Sequence, residues 1–138
     1  MNFLLDTNVC IALINGKPPV VRTRVERELR SGAALHVSSV SVFELWYGVA
    51  KSKDVQGNTR KLESFLAGPL TIVSLDEEDA ASAGEIRAIT ERAGKPIGAY
   101  DLLIAGQSIH RKFTLVTANL REFSRISGLQ WQNWANSR

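Results

Sequence analysis

Short apolar stretches alternate with longer amphipathic stretches along the chain. The apolar stretches are rich in β-branched residues, which is typical of buried strands; they cover residues 1–5, 34–40, 70–75, 113–117 and, as a fifth strand, 129–134. Between them, apolar residues recur at helical spacing, as at Val21, Val25 and Leu29, and predict amphipathic helices. The predicted helices are residues 9–15, 19–30, 42–50, 59–67, 76–94 and 101–112.

This alternation predicts the fold class. Strands that alternate with helices favour a parallel sheet covered by helices on both faces. We therefore expect an α/β protein, a three-layer sandwich with a central, mainly parallel sheet of four to five strands. The chain has 138 residues, a common size for one domain, and no linker or repeat divides it. Residues 1–138 are predicted to form a single domain.

Composition excludes several classes of protein. Hydrophobic residues make up 44% and charged residues 22%, which is ordinary for a globular domain and excludes disordered and collagen-like chains. No apolar run reaches the ~18 residues of a membrane helix, so we expect a cytoplasmic protein with no membrane partner. Cys10 is the only cysteine, so neither an intrachain disulfide nor a cysteine metal cage can form. His36 and His110 are expected to be structural.

The net charge of +3 indicates only a mild preference for a polyanionic partner. Basic residues that would form a phosphate-binding rim lie in the helix at 19–30 and at Lys51, Lys53, Arg60 and Lys61. A solvated helix face explains them equally well.

Polar residues that carry chemistry fall where strands end. Asp6 follows the first strand, Glu44 lies in the helix after the second, Asp101 begins the last long helix, and Asn119 follows the fourth strand. Because ligands bind at the carboxyl ends of parallel strands, all four side chains are expected to face one cleft.

Each acid also has a structural alternative. Glu44 would complete a capping box with Ser41, and Asp6 and Asp101 occupy positions that favour helix caps. Asp76 and Asp79, in the acidic run 76–79, are predicted to cap a helix. Asp54 is predicted to be solvated surface.

Three carboxylates in one cleft favour a hard cation. Each close pair would repel by ~4 kcal/mol at an effective dielectric near 20, and an oxygen-only ligand set selects Mg²⁺, with Mn²⁺ as the alternative. Such an ion suits phosphodiester hydrolysis by metal-activated water. Glu44 would hold that water or act as the base, whereas Asn119 can only orient ligands, because an amide takes no proton at neutral pH.

Four segments in order resemble the PIN-domain family, specifically its VapC-type toxin ribonucleases. They are Leu-Leu-Asp-Thr-Asn at 4–8, Ser-Val-Phe-Glu-Leu-Trp-Tyr-Gly-Val at 41–49, Pro-Ile-Gly-Ala-Tyr-Asp-Leu-Leu-Ile-Ala at 96–105 and Leu-Val-Thr-Ala-Asn-Leu-Arg-Glu-Phe at 115–123. The resemblance implies a Mg²⁺-dependent endoribonuclease, with tRNA as the substrate at the level of the family. It assigns metal binding to Asp6, Asp101 and Glu44, and supporting hydroxyls to Thr7 and Thr117.

The resemblance also implies partners. These are an RNA substrate, a second copy of the chain in a homodimer, and a small antitoxin protein through which the complex reaches operator DNA. Asn119 departs from the aspartate that many PIN nucleases have there, which argues against a tightly bound second metal. The alternative is a catalytically weak PIN-like scaffold that acts through its antitoxin and DNA.

Other classes of protein fit less well. A haloacid-dehalogenase phosphatase needs a second aspartate at position 8, where the chain has Asn8. A dinucleotide-binding domain needs the motif G-x-G-x-x-G after its first strand, and this chain lacks that motif there. Trp46 and Tyr47 are expected to pack or to form a dimer contact, with stacking of a base as the alternative. Gly48 is expected to allow close approach of a backbone or a ligand.

Overall fold

Helices and strands alternate throughout the computed structural model, which describes residues 1–136. The strands are β1 (Asn2–Leu5), β2 (Ala34–Ser38), β3 (Thr71–Val73), β4 (Thr114–Val116) and β5 (Trp131–Gln132). The helices are α1 (Thr7–Asn15), α2 (Pro19–Arg30), α3 (Ser39–Ala50), α4 (Val55–Leu66), α5 (Glu77–Arg92), α6 (Ala99–Arg111) and α7 (Leu120–Phe123).

The strands form one parallel sheet in the order β3-β2-β1-β4-β5. β1 is central, and its last residue, Leu5, pairs with Val37 of β2 and Val116 of β4. The chain first builds outward from β1 to β3 and then returns to β4 on the other side of β1. The strand order therefore reverses between β1 and β4, where parallel α/β sheets bind their ligands.

Hydrophobic cores cover both faces of the sheet. Phe3 and Leu5 of β1 pack into one core with residues of α1 to α4, whereas Leu4 packs into the other core with residues of α5 and α6. This division follows from the two-residue period of a strand, which turns alternate side chains to opposite faces. The predicted three-layer α/β sandwich is confirmed.

Two predicted element boundaries are wrong because side-chain caps define the helix starts. α4 begins at Val55 rather than at residue 59, since the Asp54 carboxylate accepts a hydrogen bond from the Gly57 amide at 3.0 Å. Asp54 is thus a helix cap and not merely solvated surface. β2 ends at Ser38 rather than at residue 40, because the Ser38 hydroxyl accepts from the Val40 amide at 3.1 Å and starts α3.

The prediction that Asp76 and Asp79 cap a helix is confirmed, and Asp79 has a further contact. The two residues form a reciprocal capping box at the start of α5. Asp79 is fully buried and accepts hydrogen bonds from Gln107 at 3.0 Å and from the Arg111 guanidinium at 3.0 Å. Burial alone would raise the pKa of Asp79, but these donors and the Asp76 amide hold that pKa below its usual range. The carboxylate therefore ties α5 to α6.

No helix formed by residues 1–136 combines the length and the apolar character that a membrane crossing requires.

We predict that Gly106→Ala destabilises the fold. A Cβ at Gly106 of α6 would lie 2.5 Å from the Ala83 amide nitrogen of α5, so the two helices would have to separate. Alanine has the higher helix propensity, but we expect this clash to outweigh that gain. The free energy of unfolding, measured by urea unfolding, should fall by about 1–3 kcal/mol.

Gly84→Ala is the matched control, because it adds a methyl group to α5 where no atom lies within 4 Å. It should raise the unfolding free energy by up to about 1 kcal/mol. Equal behaviour of the two variants would contradict the close α5–α6 approach.

Candidate active site

Side chains from four separate segments meet at the carboxyl edge of the sheet. Asp6 follows β1, Glu44 lies on α3, Asp101 lies in the first turn of α6, and Asn119 follows β4. The charges of Asp6 and Glu44 both act on Asp101, and the Asn119 amide donates to Asp101 Oδ2 at 3.4 Å. The structure therefore brings together the four residues that the sequence singles out.

Asp6 combines a structural bond with a position at the cleft. Asp6 as a whole residue is 4% exposed, and its Oδ1 accepts a hydrogen bond from the Val9 amide at 2.8 Å, which caps α1. Burial raises the pKa of Asp6, as does the charge of Glu44, while the Thr117 hydroxyl and the Val9 amide oppose that rise. The cap fixes the orientation of the carboxylate, but ionisation of this buried group still costs free energy.

Glu44 is held by a pair of hydroxyls and not by a capping box. The Thr7 hydroxyl lies 2.6 Å from Glu44 Oε1 and 2.9 Å from the Ser41 hydroxyl oxygen. Because Thr7 has a single hydroxyl proton, which it donates to the carboxylate, Ser41 must donate to Thr7 in turn. The capping alternative for Ser41 and Glu44 is wrong, since Ser38 caps α3 one turn earlier.

Thr117 links two other members of the site. It is fully buried, bonds the Asp6 carboxylate through its side chain, and accepts from the Asn119 amide nitrogen at 2.9 Å. Its hydroxyl therefore positions Asp6 and the backbone of Asn119 together. Thr7 thus bonds Glu44 and Thr117 bonds Asp6; a supporting role for these hydroxyls in a reaction stays a prediction.

Asp101 is not a helix cap, and the acid that most raises its pKa is Glu122, a residue that sequence reasoning missed. α6 begins at Ala99, so Asp101 lies inside its first turn. Burial, followed by a hydrogen bond and repulsion from Glu122 of α7, raises the pKa of Asp101 to about 7. Glu122 lies in the segment 115–123 that resembles the PIN-domain family. The sequence does not predict the short helix α7, which places Glu122 beside Asp101.

A different acidic group lies away from this cleft. Among residues 1–136, ligand atoms of Asp76, Asp79 and His110 lie within 4.8 Å of one another. Both aspartates already bond Arg111, and His110 pairs with Glu78 at 2.9 Å. Since these charges are paired within the chain, we assign the group to the packing of α5 on α6.

The histidines and part of the basic rim have structural contacts. His36 stacks on Phe113 with ring centroids 4.4 Å apart. Arg22 donates to the Leu13 carbonyl at 2.7 Å, and Arg24 pairs with Glu28 at 2.8 Å. These two arginines are therefore engaged in the fold and are not a free phosphate-binding rim.

Two aromatic residues and a glycine of α3 differ from expectation. Tyr47 is 60% exposed, so the prediction that it packs in the core is wrong, and Trp46 is 37% exposed. A Cβ at Gly48 would meet nothing within 4 Å, so no backbone of the described residues approaches it closely. A dimer contact at Trp46 and Tyr47 stays a prediction, as does approach of a ligand to Gly48.

Fold and site together define a class of protein. A family model described as PIN domain matches residues 3–129, which include every side chain of the acidic cleft. The chain belongs to the PIN-domain family.

Within that family the chain belongs with the VapC ribonucleases. A Shigella flexneri protein named tRNA(fMet)-specific endonuclease VapC is 38% identical over 135 residues, which cover 98% of this chain and 99% of the relative. Ribonuclease VapC2 of Rickettsia felis is 40% identical over 134 residues, covering 97% and 98%. The structure of Rickettsia felis VapBC2 bound to a promoter DNA fragment aligns with a TM-score of 0.91 at 38% identity, over 97% of this chain and 99% of that one.

We predict an unusual pH dependence for the metal-free protein. The pKa of Asp101 is raised from its usual 3.8 to about 7 in the folded state, so between these values the folded chain binds more protons than the unfolded chain. The free energy of unfolding must then fall as the pH rises through that window. Asp101→Asn removes this loss, because an amide has no charge to bury.

Thermal unfolding in EDTA between pH 5 and 8 measures the effect. Asp101→Asn should melt several degrees above the unmodified protein at pH 8, and the difference should shrink towards pH 5. If the difference in melting temperature between the two proteins is the same at every pH, the acidic cluster does not raise the pKa of Asp101.

Proposed function

We propose that the protein is a Mg²⁺-dependent endoribonuclease, the toxin of a VapBC-type toxin–antitoxin pair. The observation that carries the proposal is the cluster of Asp6, Glu44, Asp101 and Glu122, four carboxyl groups gathered at the switch point of the sheet. The VapC names of relatives with up to 40% identity over nearly the whole chain support RNA as the substrate.

The chemistry of the donor set fits a hard divalent cation. The site offers carboxylate and amide oxygens, which suit Mg²⁺ or Mn²⁺, and a cation would offset the repulsion that raises the pKa of Asp101. Among residues 1–136, Asp6, Glu44 and Asp101 do not form a group whose ligand atoms all lie within 4.8 Å. One ion with ligands at about 2.1 Å cannot contact all three as they stand. We propose that Asp6 and Asp101 bind the ion directly, because the family resemblance favours this pair.

Each side chain then has a defined task in hydrolysis. When bound, Mg²⁺ would polarise a phosphate oxygen and acidify the attacking water. Glu44, oriented by Thr7, accepts the proton of that water or holds it in place. Thr117 keeps Asp6 directed into the cleft, and Asn119 donates to Asp101 and cannot serve as a base.

Substrate and partners are proposed from the relatives. The Shigella flexneri relative is named a tRNA(fMet)-specific endonuclease, so we propose tRNA as the substrate. We also propose the cytoplasm as the location. The Rickettsia felis structure is a VapBC2 complex on promoter DNA, which supports an antitoxin partner and contact with operator DNA through that complex. A homodimer, implied by the resemblance, is proposed as the free state and is testable by sedimentation velocity.

Incubation of the purified chain with bacterial tRNA tests the reaction. We expect cleavage with Mg²⁺, none in EDTA, and new 5′ ends that carry phosphate. Asp6→Asn and Asp101→Asn should each lower the rate by more than about 100-fold, since even residues that only orient metal ligands contribute about 10–100-fold.

Asp54→Asn is the matched control, because it makes the same chemical change at a helix cap where asparagine is equally good. Cleavage that persists in EDTA or in both site variants would overturn the metal mechanism. A well-folded chain that cuts no RNA would favour the scaffold alternative.

We further predict that Thr7 acts by positioning Glu44. Thr7→Val keeps the branched shape but removes the hydroxyl that lies 2.6 Å from Glu44 Oε1, and the cleavage rate should fall by about 10–100-fold. Thr7→Ser retains the hydroxyl and should recover most of the rate.

Rescue by serine, read together with thermal unfolding, separates positioning from stability. If Thr7 positions Glu44 through its hydroxyl, Thr7→Val should lose activity at an unchanged melting temperature, and Thr7→Ser should recover it. A loss of rate that tracks a lower melting temperature and is not recovered by serine would assign Thr7 to the fold alone.

A further inference from the structure

A cleft of about 500 Å³ opens directly beside Glu44. Thr7 and Glu44 contribute to its lining, so the cleft is continuous with the acidic site. Its volume lies within the ~300–1,000 Å³ typical of pockets for small ligands. Gly48 contributes no side chain to the helix surface there, and a Cβ at that position would meet nothing within 4 Å. The surface of α3 is therefore open next to the acids.

Three exposed aromatic side chains line this cleft: Phe43, Tyr47 and Tyr100, which we call the aromatic wall. They are 56%, 60% and 48% exposed, respectively. The rings of Phe43 and Tyr100 contact each other edge to face, with centroids 5.6 Å apart. Large apolar side chains grouped on a surface mark a place where something binds, and about half of each side chain remains open to solvent.

A cation accompanies the aromatic wall. Lys51 Nζ lies 4.7 Å from the ring centroid of Tyr47. Phe43 and Tyr47 are four residues apart on α3, and Lys51, four residues further on, is the C-cap of that helix. The acids of the neighbouring site repel a nucleic-acid backbone, so a substrate needs a positive group close by. Stacking surfaces combined with cations are how proteins hold single-stranded nucleic acid.

We propose that the cleft seats an unpaired nucleotide of the RNA next to the bond that is cut, with its base stacked on the aromatic wall and its phosphate paired with Lys51. The proposal rests on the proposed ribonuclease function and adds the part of the substrate that the cleft recognises. A protein surface packed on the same wall would have to bury the charges of Glu44 and Lys51, which is costly. An RNA strand would instead place a phosphate against Lys51. It would leave Glu44 exposed to solvent beside the bond that is cut.

Fluorescence of single-stranded RNA containing 2-aminopurine tests the stacking. In an Asp101→Asn background, which prevents cleavage, binding should quench the fluorescent base. Tyr47→Leu and Phe43→Leu should each weaken binding by about 5–150-fold, the range for loss of one stacked base, and should reduce the quench. Tyr47→Phe keeps the aromatic ring and should retain both the affinity for RNA and the fluorescence quench.

Salt dependence tests the role of Lys51. Loss of one phosphate contact to a single strand should lower the slope of log affinity against log salt by about 0.7 in Lys51→Gln. An unchanged slope would overturn the phosphate contact.

Two results would overturn the stacking proposal. The first is unchanged binding and quench in the leucine variants with a folded circular dichroism spectrum. The second is a change of oligomeric state in those variants by sedimentation velocity, which would assign the aromatic wall to contact between copies of the chain. If the unmodified chain quenches the probe but cuts no RNA, the ribonuclease proposal fails while the stacking proposal stands.

Discussion

Repulsion among carboxylates that are partly removed from water is the constraint on which the site depends. Burial disfavours the charged form of Asp6 and Asp101, and Glu44 and Glu122 add like charge beside them. At an effective dielectric near 20, each close pair costs ~4 kcal/mol. The rest of the molecule must hold these groups in place against that cost, because a flexible cleft would separate them.

The position of β1 provides the rigidity. β1 lies at the centre of the sheet, bonded to a strand on each side, and its side chains enter both hydrophobic cores. Asp6 follows immediately, with its own amide bonded to the Val116 carbonyl at 3.0 Å and its carboxylate capping α1. Rotation of the carboxylate would break its bond to the Val9 amide, and a shift of the Asp6 backbone would break the bond to Val116. Free energy from the two cores supports a locally unfavourable concentration of charge.

The sequence predicts the layers and the positions of three acids, but not the contacts that orient them. The periodicity of apolar residues reflects burial against the sheet and extends over whole strands and helices. The sequence therefore predicts the bounds of these elements to within a few residues. Caps are local choices among competing side chains: Ser38 rather than Ser41 starts α3, which frees Glu44 to bond Thr7. Glu122 escapes prediction because α7 has only four residues, too few to show a helical period.

Asn119 and Glu122 together explain how the site accommodates its charge. An aspartate at position 119 would place a further negative group against Asp101, whose pKa is already raised to about 7. The amide instead donates to Asp101 Oδ2 at 3.4 Å, a contact that favours the ionised form of that carboxyl group. Glu122, half-buried on the short helix α7, supplies the fourth carboxyl group of the cleft one helical turn later. The cleft therefore keeps its acidic character through Glu122, while Asp101 gains a hydrogen-bond donor from position 119.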